Sequence, residues 1–206
     1  MSPRKSAAEA VATRARILDR TLALAVATGL EGVTIGVLAD DLGMSKAGVI
    51  GPFGTKEELH LAAVDEAVAR FQEAVLAPLA GADPGTGRLV RAHDAWFASM
   101  AADGHAGCLL TAVAAEFDAR PGPVRDRVRA ALARWDAFVL GELDAALAAG
   151  ELPLGTDPAQ LLFELRGVAL AADQGVQLWH DPQAPARARR AVRRLLTAPW
   201  PRVTSP

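Results

Sequence analysis

Tyrosine is absent from the 206 residues and cysteine occurs once. No stretch approaches the roughly 20 apolar residues needed to span a bilayer, so no membrane partner is expected. The lone Cys108 excludes an intramolecular disulfide and fits a reducing compartment. Basic residues near the start have no apolar run behind them, which argues against a signal peptide and for a cytoplasmic protein. The 4 histidines are scattered without metal-ligand spacing, and no nucleophile, base and orienting group stand together. Neither a metal, nor a cofactor, nor an enzymatic activity is therefore expected. A formal charge of −2 excludes bulk attraction to nucleic acid, so any such contact must be built locally. Repeats of solenoid length and sustained strand-like alternation are also missing.

What is present is helical. The chain is 51% hydrophobic and 22% charged, a globular balance. Its apolar residues recur at helical spacing, with Ala and Leu dominating the segments between breakers. The fold class is all-α. A first helix over 8–28 carries Ile17, Leu18, Leu22, Ala25 and Val26 on one stripe, and Gly29 stops it. Thr34 caps a short helix through Asp41, and Ser45 caps another after Gly43. Thr55 and Glu58 form a capping box opening a long helix to about Ala80. The run 81–87 breaks the chain, and helices follow near 88–102, 107–118 and 123–149. Asp157–Pro158 opens one to about Trp179, and a basic helix from Pro185 ends before Pro199.

Residues 34–53 hold two short helices joined by a tight turn. Ala39 is small enough for the helices to cross closely, Gly43 permits a positive φ, and Val49 points back into the pair while Leu38, Leu42 and Met44 close it. That is the helix-turn-helix pattern. The leading end of its second helix, which would enter the major groove, bears Ser45, Lys46, Ala47 and Gly48, small or donor-bearing as groove entry demands. Thr34 and Ser45 stand at helix N-termini suited to a phosphate, Lys56 opens the next helix in the same role, and Arg4, Lys5, Arg14 and Arg16 add basic reach. Each cap or lysine alone would also be ordinary in any helical protein; the assembly points to double-stranded operator DNA.

Residues 13–66 resemble the N-terminal domain of the TetR (tetracycline repressor) family. The matching marks are Ile17–Leu18, Ala23–Ala27, Gly29, Thr34, Ile35, Leu38–Ala39, Leu42–Gly43, Ser45–Lys46, Phe53, Lys56 and Leu59. The resemblance implies a three-helix DNA-binding domain over 1–60 and a larger helical ligand-binding and dimerisation domain over 61–206, connected by the helix 55–80. Two positions depart from the pattern. The family usually has an aromatic where Ile50 stands and commonly a His at Pro52, both touching operator phosphates. Ile50 and Pro52 cannot donate such hydrogen bonds, and Pro52 truncates the short helix.

Aromatic residues concentrate in the second part. Trp96, Phe97, Met100, Phe117, Trp135 and Phe138 lie on different predicted helices and could converge, either as plain core or as a mostly apolar effector pocket. Polar candidates for its lining are His93, Cys108, Arg166, Asp173 and Gln177. Family resemblance implies a small-molecule inducer there. Gly167, Ala171 and Gly175, four apart and following Phe163, allow close helix approach; the resemblance assigns homodimerisation to about 158–197. Arginines of the last helix read as a solvated face with cross-dimer ion pairs. The expected function is a repressor released from a palindromic operator when ligand shifts the helix 55–80. The alternative is a ligand-sensing helical dimer whose DNA binding is weakened or lost.

Overall fold

Residues 7–100 and 108–197 are described in the computed structural model of the chain. Arg4, Lys5 and His105 lie outside them. Every element among the described residues is helical. Helix α1 (Ala7–Thr28) buries Ile17, Leu18, Thr21, Leu22 and Ala25 along one stripe, and Gly29 follows at φ +75°. Helix α2 (Ile35–Leu42) starts where the Thr34 hydroxyl accepts the Val37 N–H, and ends at Gly43, whose φ of 61° turns its own N–H back onto the Ala39 and Asp40 carbonyls. Helix α3 (Lys46–Ile50) is capped by Ser45, which accepts the Gly48 N–H. Helix α4 (Lys56–Phe71) opens with the Glu58 N–H donating to the Thr55 hydroxyl at 3.1 Å. These are the caps that the sequence predicts.

Beyond α4 the structure departs from the expected single helix over 55–80. The α geometry stops at Phe71; a π-helical turn over Gln72–Leu76 and a 3-10 turn over Ala77–Leu79 follow. Pro78 explains the change. It has no N–H for the Ala74 carbonyl and its ring crowds that carbonyl, so the ladder widens and the Ala77 N–H bonds to the Gln72 carbonyl instead. The remaining helices are α5 (Thr86–Ser99), α6 (Leu109–Phe117), α7 (Pro123–Ala148), α8 (Pro158–Gln177) and α9 (Ala184–Thr197). Asp157 caps α8 by accepting from Ala159 and Gln160, with Pro158 in the first turn. No helix among the described residues is long and apolar enough to cross a membrane.

Two compact units emerge. The first joins 7–70 with 109–129; the second joins 71–100 and 108 with 130–197. In the first, α1 packs on α2 and on α6, and Ile17, Leu30, Val33, Leu38, Val49 and Leu59 are fully buried. Truncating any of these to Ala costs about 2–5 kcal/mol by removing buried surface and leaving a cavity. In the second unit α9 lies between α5 and α8, burying Leu89, Phe97, Leu161, Leu165 and Leu196. The arginines of α9 are not all a solvated face. Arg189 and Arg193 reach Asp94 on α5, and Arg187 pairs with Asp181, so three of them fasten the helix to its own chain.

Candidate nucleic-acid interface and effector core

The α2–α3 pair is built by burying its inner side and leaving its leading ends open. Leu38 and Val49 are fully enclosed and Ala39 is 4% exposed, which locks the crossing; Leu42 and Met44 are half-buried at its rim. Thr34, Ser45, Lys46 and Ala47 are exposed. Lys46 has a definite place. Its Cε and Nζ lie 3.7 and 4.0 Å from the point where a Cβ on Gly36 would stand, and the Thr34 hydroxyl lies 3.8 Å from the same point. The ammonium, a hydroxyl and the free N–H groups of the first turn of α2 thus converge beside a residue without a side chain. Such a cluster of donors and positive charge is chemically fitted to a phosphate oxygen. Lys46 has no carboxylate partner among the described residues.

Gly48 has a local reason to be glycine. A Cβ there would stand 3.2 Å from the Ser45 hydroxyl that caps the helix and 3.4 Å from Met44. Lys56 is not a free cation. Its ammonium donates to the Glu31 carbonyl at 3.0 Å and to the Glu31 carboxylate at 3.1 Å, and this bond holds the Glu31 carboxyl below its ordinary range. Arg14 lies over the Phe53 ring, 5.0 Å from its centre, while Arg16 is exposed. The helix α3 ends at Ile50, as Pro52 requires, and the carbonyl of Ile50 is taken by the N–H groups of Phe53 and Gly54. Ile50 is half-buried and Pro52 exposed.

Five of the pocket candidates do meet in the second unit. Trp96 stacks on Phe97 with ring centres 5.9 Å apart and meets Trp135 edge-on at 5.2 Å; Trp135 in turn contacts Phe138 at 5.4 Å and His93 at 5.4 Å. Phe71, which the sequence gave no reason to include, stands edge-on to both Trp96 and Trp135. Met100 is fully buried and Cys108 half-buried in the same core. His93 is 1% exposed, and burial pushes its pKa down to about 4 even though its Nδ1 faces the Leu89 carbonyl at 2.9 Å. It is a neutral imidazole. The Trp96 indole N–H is buried with no acceptor, an uncommon and costly condition.

Other candidates stand apart from this cluster. Phe117 belongs to the first unit, buried on α6 with Arg120 over its ring. Arg166 is exposed and forked onto Asp136. Asp173 is buried, accepts the Cys108 N–H at 2.6 Å, and has its pKa raised by desolvation. Gln177 ends α8, half-buried.

On α8, Phe163 is 68% and Leu170 54% exposed, with Gly167 and Ala171 exposed on the same face. Gly175 is not part of that face, which corrects the expectation from four-residue spacing. It is buried, and a Cβ there would stand 2.5 Å from the Cβ of Ala184 at the start of α9. Its smallness serves packing within one chain.

Residues 17–63 match the family profile described as bacterial regulatory proteins of the tetR family, and residues 85–192 match the tetracyclin repressor-like C-terminal domain. No curated protein matches the chain. Among solved structures it is similar to a TetR transcriptional regulator from Chloroflexus aurantiacus J-10-FL, at 23% identity and a TM-score of 0.82, with 92% of this chain and 96% of that one covered. A TetR-family regulator from Agrobacterium tumefaciens shares 19% identity at a TM-score of 0.80, covering 90% and 98%. A third, AibR in complex with isovaleryl coenzyme A and operator DNA, shares 19% at a TM-score of 0.74, covering 91% and 100%. Two matched domains in family order, the second alone spanning more than half of the chain, join with the capped helix-turn-helix to one conclusion: the chain belongs to the TetR family of ligand-responsive, DNA-binding transcription regulators.

Proposed function

We propose that the protein is a cytoplasmic repressor that grips a palindromic operator as a homodimer and releases it when a small molecule enters the aromatic core of the second unit. The carrying observation is the convergence of the Lys46 ammonium and the Thr34 hydroxyl on one point beside Gly36, at the open N-terminus of α2. In this reading Lys46 and Thr34 hold backbone phosphate, Ser45 sets the end of α3, and Ala47 meets a base edge. The reading function belongs to 1–60, and effector binding and dimerisation to 61–206. The AibR complex with operator DNA supports the DNA assignment. The dimer face is the exposed stripe of α8 bearing Phe163, Gly167, Leu170 and Ala171.

The effector site is assigned to Trp96, Trp135, Phe138 and Phe71 around His93, with Phe97 and Met100 behind them. The unsatisfied Trp96 N–H favours a largely apolar effector carrying an acceptor. A signal from there to the reading pair runs along the chain crossings between the units, at 70/71, 108/109 and 129/130. The first crossing adjoins the π-turn, where helical hydrogen bonding is already loosened.

A mobility-shift assay with the intergenic region upstream of the protein's own coding sequence tests this directly. Retardation that declines with salt and is reversed by candidate apolar effectors is the expected result; no retardation at low salt would defeat it. One second reading has a specific observation behind it. Lys56 is occupied by Glu31, and Ile50 and Pro52 offer no donor, so phosphate contacts are fewer than in the family pattern. A ligand-sensing dimer that no longer binds DNA would show effector binding and no shift.

A further inference from the structure

The turn between α1 and α2 is gripped from outside. Glu116, at the end of α6, accepts the Leu30 N–H on one carboxylate oxygen at 2.7 Å and the Glu31 N–H on the other at 2.9 Å. Lys56 holds the Glu31 carbonyl, and His60 meets the Val33 carbonyl at 3.4 Å. Gly29 makes room for the clasp: its φ is +75°, and a Cβ there would stand 3.1 Å from both Glu116 oxygens. Leu30 and Val33 are fully buried on either side, so the turn cannot slide without disturbing the core beneath α2.

We infer that Glu116 is a positioning residue for DNA binding, fixing the turn that launches α2 and so the angle at which Thr34 and Lys46 are presented. The chemistry is specific to a carboxylate. Two adjacent backbone N–H groups need two acceptors side by side. A carboxamide supplies one and turns its own NH2 against the second N–H. Glu116 itself lies 86 residues from Leu30 in sequence and outside the helix-turn-helix, so it acts through the turn without touching DNA. This inference rests on the proposed reading that α2 and α3 bind an operator.

The test uses the full chain and a labelled duplex from its own upstream region, with amide hydrogen exchange read in parallel. In E116Q the Leu30 and Glu31 amides should lose protection while those of α2 and α3 keep theirs. Operator affinity should fall about tenfold, the equivalent of one or two charge-assisted hydrogen bonds. The slope of log affinity against log salt should stay at the wild-type value, because no phosphate contact is lost; K46A, in contrast, should flatten it. E116A should show the same effect more strongly, and should it fail to fold, E116Q decides. Wild-type affinity in E116Q, with those two amides exposed, overturns the inference while leaving the DNA reading intact. A salt slope flattened as in K46A also overturns it, because Glu116 would then alter the phosphate contacts themselves. Absence of wild-type binding removes the DNA reading first, and the inference with it.

Discussion

Lys46 lies alongside Gly36, its ammonium 4.0 Å from where a Cβ would stand on that glycine. An ordinary side chain fits there without a clash, so chemistry and not space decides what the position tolerates. Gly36→Glu should place a carboxylate within reach of Lys46 and neutralise it. Operator affinity is then expected to fall about tenfold, with the salt slope reduced by about 0.9, the value of one phosphate contact. Gly36→Ala should leave binding unchanged and steady α2 by up to about 1 kcal/mol. Fluorescence anisotropy over a salt series checks both; binding by Gly36→Glu at wild-type strength and slope would remove Lys46 from the interface.

The two glycines of α8 should behave in opposite ways. Gly175→Ala drives a methyl into Ala184, whose short side chain has no rotamer to escape into, and should destabilise the fold by about 1–3 kcal/mol in denaturant melts. Gly167 has open space around it within its own chain. A bulky Gly167→Leu should leave the isolated chain folded and weaken the dimer, read by sedimentation as a shift toward monomer. If Gly167→Leu dimerises as well as wild type, the exposed stripe of α8 is not the subunit interface.

Exposed apolar side chains on that stripe give an independent check. Phe163 is 68% exposed in the single chain, so Phe163→Lys removes little of its own fold's core. Its effect should fall on association, with a dissociation constant raised at least about tenfold through loss of buried aromatic surface and the burial of an unpaired charge. Sedimentation equilibrium at matched concentrations measures it.

His93 should make the second unit acid-sensitive. Its pKa is about 4 when folded and near 6.5 when unfolded. Between those values the unfolded chain binds a proton that the native one refuses, so stability falls as pH drops from about 6.5 toward 4, by about 3 kcal/mol at full extent. Asp173 works in the other direction, because burial raises its carboxyl and makes it easier to protonate in the folded state. Comparing wild type with His93→Leu isolates the histidine: the variant should lose this part of the slope in urea melts from pH 7 to pH 4. Parallel slopes would mean that the imidazole is not buried neutral.

The local features of the reading pair were legible because they are set within a few residues. Thr34, Ser45 and Thr55 cap their helices through N–H groups three positions on, and Gly43 takes the left-handed turn that its lack of a Cβ allows. The aromatic core was legible as composition, and Phe97, Trp96 and Trp135 do meet. Phe117, of the same residue type, belongs to the other unit. Periodicity marks a residue as inward-facing without naming the interior it faces. Gly175 illustrates the same limit: four-residue spacing put it on one stripe with Gly167 and Ala171, yet α9 returns to cover it alone.

Sequence by itself determined the all-α class, the helix ends and the identity of the DNA-reading segment, because hydrophobic period, capping and glycine conformation act over one or two turns of chain. Tertiary structure decided which charges remain free and which are spent: Lys46 open, Lys56 bound to Glu31, Glu116 closed over the Leu30 and Glu31 amides. Those pairings depend on distances in space between residues 25 and 86 positions apart, and a carboxylate finds its partner only after the apolar residues beneath it have fixed the backbone.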